Sequence, residues 1–319
     1  MDIPFELREA IENMVEGKDL SQIKKTVKDI SGKYKNDSGR GKVLIKSDSD
    51  AQVYSCFRMP ATYGACYDAF SYVKEFFNGS IESVTDVGAG TGAASWAVDR
   101  IFDPKSIRCL EREISMRKIG QELMKADKVL QDKTSWENYD LLSDDVNESS
   151  DLTISSYVFN ELDPNNVVKA ITKLWDKTDK LMIIVEPGTV EGYNVIRMIR
   201  EHLISLGGNV VAPCPHMGSC DLKDDWCHFA CRVQRSKLHK IIKEGDVPYE
   251  DEKYSFIAVS REETPRTECR VLRHPYITKG QIDLTVCTPD GKTNMTVRKR
   301  DGDIFKKARK CKQGDSLIP

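Results

Sequence analysis

The sequence contains no run approaching the ~18 consecutive apolar residues that a membrane-spanning helix needs. Glycine and proline are sparse, 20 and 12 in 319 residues, which excludes a collagen-like or low-complexity chain. No internal repeat is present. Nor is there an overall excess of charge, the net value being −2. The first twenty residues, MDIPFELREAIENMVEGKDL, lack the apolar stretch of a signal peptide and are too acidic for an Arg-rich transit peptide, so the expectation is a cytoplasmic protein with no membrane partner. What the chain does have is 39% hydrophobic and 31% charged residues, the balance of an ordinary globular protein able to bury a core. It also has ten cysteines. In a reducing compartment these are not expected to form a disulfide framework, and their spacing is read first as metal-binding or catalytic.

The near-zero charge hides a strong segregation. Residues 132–163 carry nine acids against the single base Lys133, whereas 292–312 carry nine bases against Asp301 and Asp303. A second basic cluster comprises Arg232, Arg235, Lys237, Lys240 and Lys243. Segments 232–243 and 292–312 are therefore candidates for a face that meets a polyanion such as RNA, against the plainer reading of solvated helix surface.

Hydrophobic periodicity divides the chain. Glu6 to Val15, Leu20 to Ile30 and, after a polar break over 33–42, Ala51 to Phe77 repeat apolar residues at helical spacing, which predicts a helical cap over 1–80. From 81 to 208 short apolar strands alternate with helices: strands at Ser83–Val87, Ser106–Leu110, Leu152–Ser156 and Leu181–Val185, with the last helix at Val190–Leu206. That alternation predicts an α/β, doubly wound parallel sheet. Residues 209–253 show no clear period and are too long for a plain connection, so they are expected to be an insertion ordered by something it binds. Residues 254–300 are expected to supply closing strands, including a hairpin around Thr288-Pro289-Asp290-Gly291-Lys292, and 301–319 a basic tail.

Asp86-Val87-Gly88-Ala89-Gly90-Thr91-Gly92 follows the first strand and opens a helix, with Glu111 at the end of the next strand. Glycines there let the backbone turn tightly against a ligand, and a carboxylate after the second strand can accept both ribose hydroxyls. The D-x-G-x-G-x-G form is that of class I S-adenosylmethionine methyltransferases, in which a Rossmann-like core binds S-adenosyl-L-methionine. A nicotinamide or flavin dinucleotide, or a turn that binds nothing, are the alternatives. Candidate cofactor-binding residues are Asp86 (to the ammonium), Gly88, Ala89, Gly90, Gly92, Glu111, Asp140 (to the adenine amino group) and Tyr157. The fourth strand runs into Ser156-Tyr157-Val158-Phe159-Asn160-Glu161-Leu162, which is not the Asn/Asp-Pro-Pro-Tyr/Phe motif of exocyclic-nitrogen methylation. Asn160 and Glu161 are the candidate catalytic residues, against a helix-starting turn that merely touches the cofactor.

Cys214 and Cys220 in CPHMGSC, Cys227 in DDWCHF and Cys287 in DLTVCTPDG form the candidate metal set. The gaps are wider than those of zinc knuckles, which suits a 4Fe–4S cluster, while zinc stays open with the same thiolates or with His216 or His228 replacing one. The other six cysteines read as core or surface residues.

The series RMPATYGA (58–65), DVGAGTG (86–92), LERE (110–113), SYVFNEL (156–162), VEPGT (185–189), CPHMGSC, WCHF, RVQRSKLH (232–239) and VLRHPYITKGQIDLTVCTPDGK (271–292) resembles the Rsm-type methyltransferase-like proteins of the small ribosomal subunit. The resemblance spans about residues 54 to 300. It implies a class I methyltransferase fold, bound S-adenosylmethionine, a 4Fe–4S cluster on Cys214, Cys220, Cys227 and Cys287, and a role on small-subunit ribosomal RNA, by assembly or by methylation. The lack of an import sequence points to a bacterial or archaeal relative. The alternative is a non-catalytic assembly factor in which cofactor and metal serve folding and RNA docking alone.

Overall fold

Leu181 to Val185 have no exposed surface at all, and a strand buried on both faces belongs at the middle of a sheet with helices on each side. In the computed structural model of the chain, which describes residues 1–36, 45–220, 222 and 225–318, this segment forms β5 (Thr178–Pro187). It pairs in parallel with β4 (Ser150–Ser156), which pairs with β1 (Ser83–Val87), then β2 (Ser106–Glu111) and β3 (Thr134–Asn138). The connecting helices are α5 (Ala93–Phe102), α6 (Ile114–Met124), α7 (Lys128–Asp132), α8 (Pro164–Asp176) and α9 (Val190–Ser205). α9 starts where the Thr189 hydroxyl accepts the Gly192 amide at 3.1 Å, and α8 starts at Pro164, whose missing N–H costs nothing in a first turn.

The far side of β5 departs from the expected all-parallel sheet. β8 (Tyr249–Ser260) pairs with β5 antiparallel, and two strands share its other edge: β6 (Asn209–Ala212) along one end and β7 (Phe229–Gln234) along the other. The sheet is thus mixed, in the order β3-β2-β1-β4-β5-β8-β6. Residues 209–253, expected to lack regular structure, contain β6, β7 and α10 (Lys237–Lys243). The chain leaves the sheet after β6, makes the cysteine loop and returns to the same edge as β7.

The strands after 260 do not close this sheet. β9 (Cys269–Val271), β10 (Tyr276–Thr278), β11 (Gln281–Thr288), β12 (Gly291–Arg298) and β13 (Ser316–Ile318) make a second, antiparallel sheet with its own small core, including Val286, Val297 and Leu317. The expected tail at 301–319 is folded too, because α11 (Asp303–Ala308) and β13 pack onto that core, with Leu317 only 1% exposed. Among the described residues no helix is long and apolar enough to cross a membrane.

Among the described residues, four helices precede β1: α1 (Phe5–Met14), α2 (Leu20–Asn36), α3 (Asp48–Phe57) and α4 (Met59–Lys74). Leu7, Ile11, Ile23, Val27 and Ile30 bury into the same core as α4 and α5. The expected break over 33–42 lies, from residue 37 to 42, outside the described residues, and residues 33–36 are still helical. The helix expected over Ala51–Phe77 is two helices: Pro60 sits in the first turn of α4, and the chain breaks at Arg58. The break aims Arg58 into the protein, where its guanidinium makes two hydrogen bonds, 3.0 and 2.8 Å, to the Glu252 carboxylate on β8. Tyr157, just past β4, donates its hydroxyl to the same carboxylate at 2.8 Å, and Arg58 stacks over the Tyr157 ring at 4.8 Å.

Removing one member of a buried ion pair strands the other. Arg58→Met is expected to lower the free energy of urea unfolding by roughly 2–4 kcal/mol, less than for a fully enclosed pair because 27% of the Arg58 side chain is exposed. A loss below about 1 kcal/mol would show that the pair behaves as an ordinary surface contact.

Candidate functional site

A cavity of about 790 Å³ opens at the carboxyl ends of β1, β2 and β4, between the sheet and the helical cap. Gly88, Ala89, Gly90, Glu111, Asp140, Tyr157, Asn160 and Glu161 all line it. From the cap come Tyr54, Phe57, Arg58, Met59 and Thr62. Two glycines carry the loop's geometry. Gly88 has φ +68°, and a Cβ there would lie 2.3 Å from Val158; Gly90 has φ +57° and donates its N–H to Glu111 Oε2 at 2.8 Å. Glu111 also accepts the Glu113 amide at 2.7 Å, so the carboxylate is fixed at the cavity edge.

Two candidates stand behind the loop instead of on the wall. Asp86 is fully buried and accepts the Ser95 hydroxyl at 2.6 Å from α5, while its other oxygen has no partner. Gly92, at φ +86°, caps α5 and packs close to Met124 and Trp136. Strand alternation explains Asp86: its side chain points under the loop, toward the helix layer.

The turn after β4 is held from below by Glu186, the end of β5. Its carboxylate accepts the amides of Val158, Phe159 and Asn160 at 3.2, 2.8 and 3.3 Å. Tyr157 at the head of the turn has φ +60°, a left-handed conformation that a bulky side chain keeps only under strong constraint. Its hydroxyl bond to Glu252 is that constraint. Asn160 Oδ1 is buried with no partner.

The wall is acidic. Burial pushes the Glu161 carboxyl up to about 7 against the pull of Arg112, with the charges of Glu111 and Glu113 adding to the rise. Burial and then Glu111 raise Glu113 to about 7 as well. Asp140 takes the Leu142 amide at 2.9 Å and faces Arg112 at 3.5 Å. Arg58, Arg112, Glu113, Glu186 and Glu252 were not singled out from the sequence, although four of them lie within its quoted runs RMPATYGA, LERE and VEPGT.

Cys214, Cys220, Cys227 and Cys287 come together. All four line one small cavity, about 40 Å³, with His216, Tyr193, Arg200 and Arg270. Cys227 is pushed far above its ordinary range, first by burial and then by Cys214, Cys220 and Cys287; burial, Cys214 and Cys220 push Cys287 up to about 12. Cys231 packs beside Gly64, Cys269 lies in the core of the second sheet, and His228 stacks on Trp226, so none of them lines this cavity. Among the described residues no group of three or more His, Cys, Asp or Glu side chains could hold a metal ion. As a donor set, the four thiols are soft ligands of the kind that zinc and iron–sulfur centres take, and they share the cavity with two guanidinium groups.

The basic segments fare differently. Arg232 pairs with Asp251 at 2.6 Å, and Arg235 and Lys243 pair with Glu250, so the acids that neutralise 232–243 come from β8. In 292–312, Lys292 pairs with Asp225, Arg300 with Asp301 and Lys306 with Asp303, leaving Arg298, Lys299, Lys307, Arg309, Lys310 and Lys312 outside the ion pairs of the described residues.

The family model described as "Mitochondrial small ribosomal subunit Rsm22" matches residues 48–318. The chain belongs to the Rsm22 family. Over 298 residues it is 26% identical to the human mitochondrial ribosome assembly protein METTL17, covering 83% of this chain and 62% of that one. Over 391 aligned residues it is 21% identical to a mitochondrial Rsm22-cox11 tandem protein of Schizosaccharomyces pombe, covering 97% of this chain and 49% of that one. The chain therefore spans less than two thirds of the length of these relatives. Among solved structures, a magnesium protoporphyrin IX methyltransferase from Synechocystis with bound S-adenosylmethionine has a TM-score of 0.45 at 13% identity, over 75% of this chain and 97% of that one. The expectation of a cytoplasmic protein is overturned: the Rsm22 description and the METTL17 and Rsm22-cox11 relatives are mitochondrial.

Two wholly buried carboxyls give this Rsm22-family chain a pH dependence. Burial raises Asp86 to about 7 against its Ser95 bond, and raises Glu186 to about 8 against its three amides. Each folded-state value lies above the unfolded one, so the stabilisation is complete below about pH 4 and is lost as pH rises through about 7 to 8. Glu250, which His239 and Lys243 hold down to about 2 against burial, acts only at lower pH. Urea unfolding is expected to show stability falling between about pH 5 and pH 8; a flat or rising profile there would contradict it.

Proposed function

We propose that this chain is an S-adenosylmethionine-binding, methyltransferase-like assembly factor for the small ribosomal subunit, with a class I methyltransferase core and a 4Fe–4S cluster on Cys214, Cys220, Cys227 and Cys287. The observation that carries the cofactor reading is the charge of the glycine-loop cavity. Glu111, Glu113, Asp140, Glu161 and Glu191 line it, while of its cations Arg58 is tied to Glu252, Arg112 to Asp140 and Lys243 to Glu250. Such a wall repels the pyrophosphate of a dinucleotide and attracts a ligand carrying a sulfonium and an ammonium. Glu111 is placed to accept ribose hydroxyls and Asp140 an adenine amino group, with Gly88 and Gly90 allowing close approach. Asp86 supports the loop through Ser95. When bound, the cofactor supplies an activated methyl group.

Titration calorimetry tests this. S-adenosylmethionine is expected to bind and NAD to give no heat. Glu111→Ala is expected to weaken binding at least about tenfold, the loss of a charge-assisted hydrogen-bond pair. Because Glu113 and Glu161 ionise near pH 7, affinity for the cationic cofactor is expected to rise from about pH 6 to pH 8. NAD binding with S-adenosylmethionine silent would overturn the reading.

The ribosomal part rests on membership of the Rsm22 family and on the similarity to METTL17, named a ribosome assembly protein. Lys299, Lys307, Arg309 and Lys310 offer the cationic surface for RNA phosphates. Replacing Lys307 and Lys310 by Glu is expected to release the protein from small subunits at lower salt while leaving cofactor binding intact; unchanged co-sedimentation across salt would remove that surface from the account. Methyl transfer to ribosomal RNA is the second reading, favoured by the unpartnered buried Asn160 Oδ1 beside Glu161. A methyl group missing from the subunit RNA of cells lacking the protein, and not restored by the Glu161→Gln chain, would establish it.

A further inference from the structure

Two arginines share the thiol cavity, and both are almost completely enclosed. Arg200, on α9, is 3% exposed, and Arg270, on β9, is 1% exposed. Arg200 spends one terminal nitrogen on the carbonyls of His216 and Gly218, at 2.8 and 2.7 Å. Arg270 bonds the carbonyls of Pro213 and Gly314 at 3.1 and 2.7 Å and stacks near Tyr72 and Phe76. Neither makes an ion pair with a carboxylate among the described residues, and each keeps a buried nitrogen with no acceptor, Nε in Arg200 and a terminal nitrogen in Arg270.

A buried cation with unused donors calls for an anion within reach. Carbonyls satisfy N–H groups but carry no net charge. Glu75 acts on Arg270 through its charge without forming an ion pair, and the cavity's own wall offers four thiols, with the Tyr193 hydroxyl, as the groups able to become anionic acceptors beside both guanidinium groups.

We propose that Arg200 and Arg270 are the counter-charges of the sulfur centre held by Cys214, Cys220, Cys227 and Cys287, with their unpartnered N–H groups serving its sulfur atoms and their charges stabilising its reduced form. This rests on the cluster reading above. A cubane bound by four thiolates carries net negative charge that grows by one on reduction, so a nearby fixed positive charge raises its reduction potential. Both residues act through the ligands and are positioning residues.

The test is anaerobic reconstitution of the full chain with iron and sulfide, followed by metal analysis and a redox titration read by electron paramagnetic resonance. Four variants are compared with the unaltered chain: Arg200→Lys, Arg200→Met, Arg270→Lys and Arg270→Met. The Met variants are expected to favour the oxidised state by at least about tenfold, a shift of about 59 mV to lower potential for a one-electron couple, while the Lys variants stay near the unaltered value. Met variants that lose the cluster while Lys variants retain it also support the counter-charge role. Equal potentials in all loaded chains, or Lys and Met variants failing to load alike, would overturn it and leave the arginines as props for the loop carbonyls. If the unaltered chain takes up zinc and no iron–sulfur centre, the cluster reading itself fails, which is a different result from an unshifted potential.

Discussion

The pair between Arg58 and Glu252 joins three parts of the molecule that are far apart in sequence. Arg58 stands at the break between two cap helices, Glu252 on the antiparallel strand beside β5, and Tyr157 at the head of the turn after β4. One carboxylate therefore fixes where the cap sits and holds a left-handed tyrosine in place. Without it, the cavity would lose its roof and the turn carrying Asn160 and Glu161 would lose its anchor. Glu186 does the complementary work from below by taking the three amides of that turn.

The same logic of charge separates the two cavities. The larger has an acidic wall whose arginines are already engaged, which suits a cationic ligand. In the smaller, thiols face arginines that lack carboxylate partners, which suits an anionic one. Phe256 and Ile257 of β8 line the smaller cavity, so the cysteine loop is tied to the same sheet whose other strands shape the larger one.

How much of this the sequence revealed depended on the kind of information each feature needs. β1, β2, β4 and β5 were legible because short runs with buried apolar residues recur between stretches of helical spacing. The antiparallel direction of β8 was not, since no residue pattern encodes which way a strand runs. β7 does alternate strictly, buried and exposed in turn from Phe229 to Gln234, but it sits in a segment dominated by Cys, His and Pro that reads as a loop. The 301–319 segment contributes only a few apolar anchors, such as Ala308 and Leu317, too few to stand out against the nine bases of 292–312. Glycine loop, Glu111, Asp140, Asn160 and Glu161 were placed on one cavity because the topology of strand and helix brings those positions together. Glu186 and Glu252 were missed because their roles exist only once β5 and β8 are neighbours, and the place of Asp86 beneath the loop, on Ser95, was not legible because a carboxylate before a glycine can face either side of its strand.

The central claim is that cap, glycine loop and β4 turn enclose one ligand site for S-adenosylmethionine. Hydrogen–deuterium exchange with and without that ligand tests it most directly. Slower exchange is expected together at 86–92, 111–113, 140–142 and 156–162 and in the cap around 54–62. Unchanged exchange at the glycine loop and β4 turn, or protection confined to other segments, would contradict it.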